Sequence, residues 1–137
     1  DLLVKVLPYH PFLVKPNNHE LGDIFGVKLS TREEVVPYGR KLQEMGAQNV
    51  LISMAGEGAV LIAADGQSMG APAPKGTLVN GVGAGDSMVA GFLTGWMEKK
   101  DYVHAFHMGI AAGSASAFSE NLATREEVLQ VLQQVEQ

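Results

Sequence analysis

Two apolar runs, Phe12-Leu13-Val14 and Val50 to Met54, set the limits on how this chain can fold. A strand without alternating polar positions is buried on both faces, so each run needs cover from two sides. The residues between them carry two helix signals. Asn17 or Asn18 can cap a short helix through Phe25 that Gly26 closes, and Thr31 with Glu34 three residues later forms a capping box for the next. Pro37 predicts either a kink in that second helix or a true start at Pro37, with Leu42 and Met45 facing the core and Gly46 ending it. Strand, helices, strand is the pattern of a layered α/β domain with a largely parallel sheet.

Around that unit the signals are equally local. Asp1 to Leu7 reads as the tail of an amphipathic helix that opens in mid-pattern, so the chain is expected to start inside a domain, and Pro8 and Pro11 are expected to stop the helix. Ala59 to Ala64 and Gln67 to Gly70 form a hairpin turning at Asp65-Gly66, which makes the sheet mixed. Beyond Gly81 the period is helical: Asp86 to Lys99, a helix capped by Asp101 toward Phe118, and one capped by Thr124 with Glu127. The small residues from Gly109 to Ala117 predict close packing against a neighbour, and Phe92, Trp96 and Met97 are expected in the core.

Composition removes several functions. A net charge of −5 with scattered Lys and Arg offers no basic stripe, so nucleic acid is not an expected partner. No apolar run approaches the roughly 20 residues that span a bilayer, so no membrane partner is expected. The absence of cysteine excludes disulfides and thiolate metal sites, and a cytoplasmic location is the default expectation. His104 and His107 share a helix face without a third ligand, and Lys75 reads as a solvated loop residue.

The segment that carries chemistry is Val79-Asn80-Gly81-Val82-Gly83-Ala84-Gly85-Asp86-Ser87, in which three glycines alternate with other residues just before a helix. Backbone N–H groups of Gly83, Ala84 and Gly85 can face one centre, and the helix adds unsatisfied donors and the positive end of its dipole. Such a hole suits the charge on a transferring phosphoryl group. Asp86, ionised at neutral pH, can accept a proton beside it. The bland alternative is a tight turn followed by an N-cap. Neither the Gly-Lys-Ser/Thr loop nor the dinucleotide glycine spacing is present.

Gly83-Ala84-Gly85-Asp86 resembles the second signature of the ribokinase or PfkB family of carbohydrate kinases. Lys15-Pro16-Asn17-Asn18-His19-Glu20-Leu21 is similar to a segment of its sugar-phosphate branch, and Ser114 to Ser119 fits that branch as well. The resemblance implies a ribokinase-like fold, Asp86 as catalytic base, and Gly83, Ala84 and Gly85 as anion hole. It implies that Asn17 and Glu20 organise Mg²⁺ and phosphate mostly through water. Ser53, Gly56 and Gly58, in the turn Ser53-Met54-Ala55-Gly56-Glu57-Gly58, match residues that line the ATP phosphates. This chain has Ala55 where the family usually has glycine. It also has Asn80-Gly81 where Asp and Thr or Ser are common beside a monovalent-cation site.

The resemblance implies ATP-dependent transfer to a sugar phosphate, with fructose 1-phosphate going to fructose 1,6-bisphosphate. Tagatose 6-phosphate and fructose 6-phosphate are the alternative acceptors, and a non-catalytic nucleotide-binding module is the alternative of another class. Residues 1–137 correspond to the C-terminal, ATP-binding and catalytic part of the family's domain. Most of the sugar pocket, and the small β-sheet lid that often mediates homodimers, have no counterpart here. Weak or no activity of the isolated piece, and its self-association through the Phe12 to Val14 edge, are the resulting expectations.

Overall fold

A computed structural model describes residues 2–54, 57–72, 84–118 and 129–133, with side chains described except at 2, 3, 84–86 and 114–118. The chain divides into two compact units, Asp1–Pro72 and Ala73–Gln137.

The first unit is built on a four-stranded sheet, β1 (Leu13–Val14), β2 (Asn49–Ser53), β3 (Ala59–Ile62) and β4 (Ser68–Ala71), in the order β1-β2-β3-β4. β1 runs parallel to β2, with Leu13 opposite Asn49 and Val14 opposite Val50. β2 with β3 and β3 with β4 are antiparallel. Among the described residues the sheet is therefore mixed, as the hairpin predicted, but not largely parallel. The hairpin supplies one of the three pairings, its first strand adds a second antiparallel one against β2, and the parallel strand β1 is only two residues long. The hairpin turns where expected: Gly66 takes φ +93°, and the Asp65 carboxylate accepts from the Gln67 N–H at 3.0 Å.

Three helical elements accompany the sheet: α1 (Leu2–Val6), α2 (Asn18–Phe25) and α3 (Arg32–Glu44). Pro8 does not stop the first helix outright, because Leu7–Tyr9 continues it as a 3₁₀ turn that accepts a proline near its start. α3 opens with the predicted capping box on Thr31 with Glu34, and at α2 the cap falls on Asn17, not Asn18, with Glu20 completing a box there too. Gly26, at φ +68°, closes α2. Pro37 lies inside α3 without restarting it. Only the bond to the Glu33 carbonyl is removed, and Glu33 and Pro37 are both exposed, so water can take that partner's place.

The core of this unit joins Leu7, Val14, Leu21, Leu29, Val35 and Leu42 to the alternating sheet positions Val50, Ile52, Met54, Val60 and Ile62. Leu51 and Leu61, cross-strand partners on the opposite face, are also fully buried, as uninterrupted apolar strands require. Met45 departs from expectation at 41% exposed, because α3 ends at Glu44 and Met45 sits beyond its packed face as the C-cap.

The second unit holds α4 (Ala84–Lys99) and α5 (Tyr102–Phe118). α4 begins two residues earlier than the sequence signal. The Asp101 carboxylate accepts from the Val103 N–H at 2.9 Å at the start of α5, as expected of a cap. A Cβ at Gly91 would lie 2.6 Å from both the Ala112 side chain and the Met108 carbonyl oxygen, so the two helices meet almost backbone to backbone. Phe92 is buried as expected, whereas Trp96 is half-buried and stacks on Tyr102 at 4.3 Å, and Met97 is 72% exposed. Met97 lies off the contact stripe of Met88, Gly91, Phe92 and Gly95 that meets α5. Residues 129–133 are helical, with Val131 and Leu132 buried, and the Thr124 and Glu127 cap lies outside the described residues.

Candidate functional site

Parallel strands point their carboxyl ends the same way, and in an open α/β sheet that edge is where ligands bind. Here β1 and β2 end side by side. The Ser53 N–H donates to the Pro16 carbonyl oxygen at 3.1 Å, and Asn17 forms a parallel bridge with Ser53. Two segments more than thirty residues apart in sequence, Asn17 to Glu20 and the turn beginning at Ser53, are thereby brought together at one end of the sheet.

Within the first of these segments, the Asn17 side-chain oxygen accepts from the Glu20 N–H at 2.7 Å, and the Glu20 carboxylate accepts from the Asn17 N–H at 2.9 Å. The cap reading of this pair is therefore realised in full. It does not use up the chemistry, because a carboxylate has about four lone-pair sites and only one is taken by that bond. Among the described residues no group of three or more His, Cys, Asp and Glu is gathered to hold a metal ion. An exposed carboxylate beside a half-buried amide oxygen suits a hard divalent cation that keeps most of its water, not one held in a protein cage. Mg²⁺ fits that description, and Asn17 and Glu20 are the residues that would face its water shell.

The second segment is a closed turn. The Met54 N–H donates to the Gly58 carbonyl oxygen at 2.9 Å and the Glu57 N–H to the Met54 carbonyl oxygen at 3.0 Å. Gly58 has φ +95°, and a Cβ there would run into the Ala71 carbonyl oxygen and the Pro72 backbone. Glycine at 58 is thus a steric requirement of the hairpin behind the turn. Ser53 is half-buried at the strand end, while Ala55 and Gly56 lie outside the described residues.

In the second unit, Ala84, Gly85 and Asp86 form the first turn of α4, a sixteen-residue helix whose dipole is positive at that end and whose first-turn amides have no acceptor within the helix. Gly83 and the Asp86 carboxylate lie outside the description, as does Lys75. His104 is paired with Glu98 at 3.3 Å.

One contact beside this pair is not foreseen by the sequence. The Asn18 amide donates to the Leu29 carbonyl oxygen at 2.8 Å, tying the first turn of α2 to the loop before α3. A backbone acceptor eleven residues on leaves no mark in the sequence. The Glu34 carboxylate is held below the usual glutamate range, first by the Ser30 N–H and then by the Thr31 N–H and hydroxyl, which act against some desolvation.

The sequence profile of the pfkB family carbohydrate kinases matches residues 1–129. The chain is 51% identical to the 1-phosphofructokinase of Bacillus subtilis over 135 residues, 98% of this chain and 44% of that protein. It is 35% identical to the D-tagatose-1-phosphate kinase of Bacillus licheniformis, over 98% of this chain and 44% of that one. A provisionally assigned phosphofructokinase of Staphylococcus aureus superposes with a TM-score of 0.92 at 41% identity, covering 97% of this chain and 43% of that structure. The chain thus spans less than half the length of the relatives it matches.

Proposed function

Since the chain belongs to the pfkB family of carbohydrate kinases, we propose that its residues 1–137 are the C-terminal, ATP-binding and catalytic part of an ATP-dependent sugar-phosphate kinase. The acceptor we assign is fructose 1-phosphate, giving fructose 1,6-bisphosphate. The observation that carries the reading is that Ala84, Gly85 and Asp86 make the first turn of a long helix, where the positive end of the dipole favours an anion.

In this mechanism Gly83, Ala84 and Gly85 present amides to the γ-phosphoryl oxygens. Asp86 takes the proton of the acceptor hydroxyl as that oxygen bonds to the γ-phosphorus, while the bond to the bridging β–γ oxygen breaks and ADP leaves. Ser53, Gly56 and Gly58 line the phosphate chain. When bound, Mg²⁺ neutralises charge on the phosphates, and Asn17 and Glu20 orient its water shell. The fold brings the Asn17 to Glu20 segment beside Ser53, which supports a shared phosphate end for these two groups.

The reading also puts the protein in the cytoplasm, where ATP and sugar phosphates are held, and takes a homodimer as its assembly. Among the described residues no helix is long and apolar enough to cross a membrane. A second reading, tagatose 1-phosphate as acceptor, is favoured by the 35% identity to the tagatose-1-phosphate kinase.

The test is ADP release by the protein carrying this chain, with fructose 1-phosphate, tagatose 1-phosphate, tagatose 6-phosphate and fructose 6-phosphate in turn, for the wild type and Asp86→Ala. Loss of a general base lowers kcat by about 10²- to 10⁴-fold. A protein that binds ATP and turns over none of the four sugars is a binding module, and the kinase reading then fails.

A further inference from the structure

We propose that Asn18 is a positioning residue for the Asn17–Glu20 pair, and that its amide sets how tightly the site holds a divalent cation; the inference rests on the metal-organising reading of that pair. The capping box fixes Asn17 and Glu20 relative to each other and leaves open how their turn is rotated against the sheet. One side of the turn is tied down by the Asn17 bridge to Ser53 and the Ser53 N–H bond to Pro16.

Asn18 ties the other side. Its side chain donates to the carbonyl oxygen of Leu29, a core residue only 5% exposed. That carbonyl is brought within reach because α2 doubles back tightly. The Val27 N–H donates to the Gly22 carbonyl oxygen at 2.9 Å, and a Cβ at Gly22 would collide with the Val27 carbonyl oxygen. The returning loop therefore runs alongside the helix it leaves, and Asn18 bonds across to it.

A cation held through water depends on the angle of its outer oxygens more than on any single direct bond, so a small rotation of this turn weakens the site. The donor is what matters. The Leu29 carbonyl oxygen needs a donor, which the Asn18 amide has and an ionised aspartate of the same shape lacks. Asn18→Asp therefore separates geometry from charge. It keeps the shape and adds an anion close to a cation site, yet it breaks the tie.

The experiment is Mn²⁺ binding, followed by electron paramagnetic resonance in the presence of a non-hydrolysable ATP analogue, in the protein carrying this chain. Asn18→Ala, Asn18→Asp, Glu20→Gln and Gln43→Ala are compared with the wild type. Gln43 is the stability control, because its amide donates to the Gln48, Ile62 and Ala63 carbonyl oxygens at the other end of β2. We expect Asn18→Ala and Asn18→Asp each to weaken Mn²⁺ roughly tenfold, the lower end for residues that orient metal ligands. Gln43→Ala should lower the melting temperature and leave Mn²⁺ affinity at the wild-type value. Wild-type affinity in Asn18→Ala, or tighter binding in Asn18→Asp, overturns the proposal while a weakened Glu20→Gln keeps the pair's own role. An unchanged Glu20→Gln removes the metal reading of the pair and this inference with it.

Discussion

Replacing Gly58 by alanine tests whether the turn after β2 is shaped by sterics, and Gly66 supplies the matched control. Both residues have nearly the same backbone angle, φ +95° at Gly58 and φ +93° at Gly66. They differ in surroundings: a Cβ at Gly66 meets nothing within 4 Å, whereas one at Gly58 collides with the Ala71 carbonyl oxygen and the Pro72 backbone. Left-handed strain alone costs an L-residue about 1–2 kcal/mol, which is the expected loss in Gly66→Ala. Overpacking that moves backbone adds about 1–3 kcal/mol, so Gly58→Ala should lose about 2–5 kcal/mol. The entropy that alanine removes from the unfolded chain is common to both and cancels in the comparison. For 137 residues, an unfolding entropy of about 2 cal/mol/K per residue gives roughly 0.3 kcal/mol per degree. Gly66→Ala should then melt about 3–7 °C below the wild type and Gly58→Ala about 7–17 °C below it, as followed by circular dichroism. Melting temperatures of the two variants within about 2 °C of each other would refute the clash, and with it the steric reason for glycine at the turn after β2.

Two further outcomes are expected. Because the folded-state pKa of Glu34 is lowered by the Ser30 and Thr31 N–H groups, its contribution is complete above the ordinary glutamate pKa and is lost as pH falls through the folded value. The difference in urea midpoint between wild type and Glu34→Gln should therefore be present at neutral pH and close in strong acid; a difference that persists there would show that charge is not its source. Gly91→Ala should destabilise the chain by up to about 2 kcal/mol in a urea titration, since overpacking of about 1–3 kcal/mol against Ala112 and Met108 is offset by a gain of about 1 kcal/mol in helix propensity.

What the sequence revealed and what it withheld follow the range of the forces involved. The Thr31–Glu34 capping box, a cap at Asn17, the Asp101 cap, the αL glycine at 26 and the turn at Asp65-Gly66 are written within four residues of themselves, and each appears as read. Met45 and Met97 were misplaced because an apolar type carries no direction until the partner element is known. Of the two outcomes read for Pro37, a true start is not seen: the cost of proline inside a helix depends on whether the orphaned carbonyl meets water, and that is settled by which face of α3 is exposed.

The candidate site shows the same division, and the division has a consequence for its chemistry. Asn17 and Glu20 were legible as a pair because a capping box is local, but their place beside Ser53 depends on β1 and β2 pairing in parallel. That register is anchored at the far end of β2 by the buried Asn49. Its amide donates to the Phe12 carbonyl oxygen at 2.8 Å, and its side-chain oxygen accepts from the Ala64 N–H at 2.8 Å. A buried amide bonded on both sides leaves unpaired groups if the strands slip by one residue, a loss of about 1–3 kcal/mol for each. The one-residue slip would also turn Ser53 to the other face and carry Asn17 away from it. The residue that holds this register thus sits four positions upstream of Ser53, at the opposite end of the same strand.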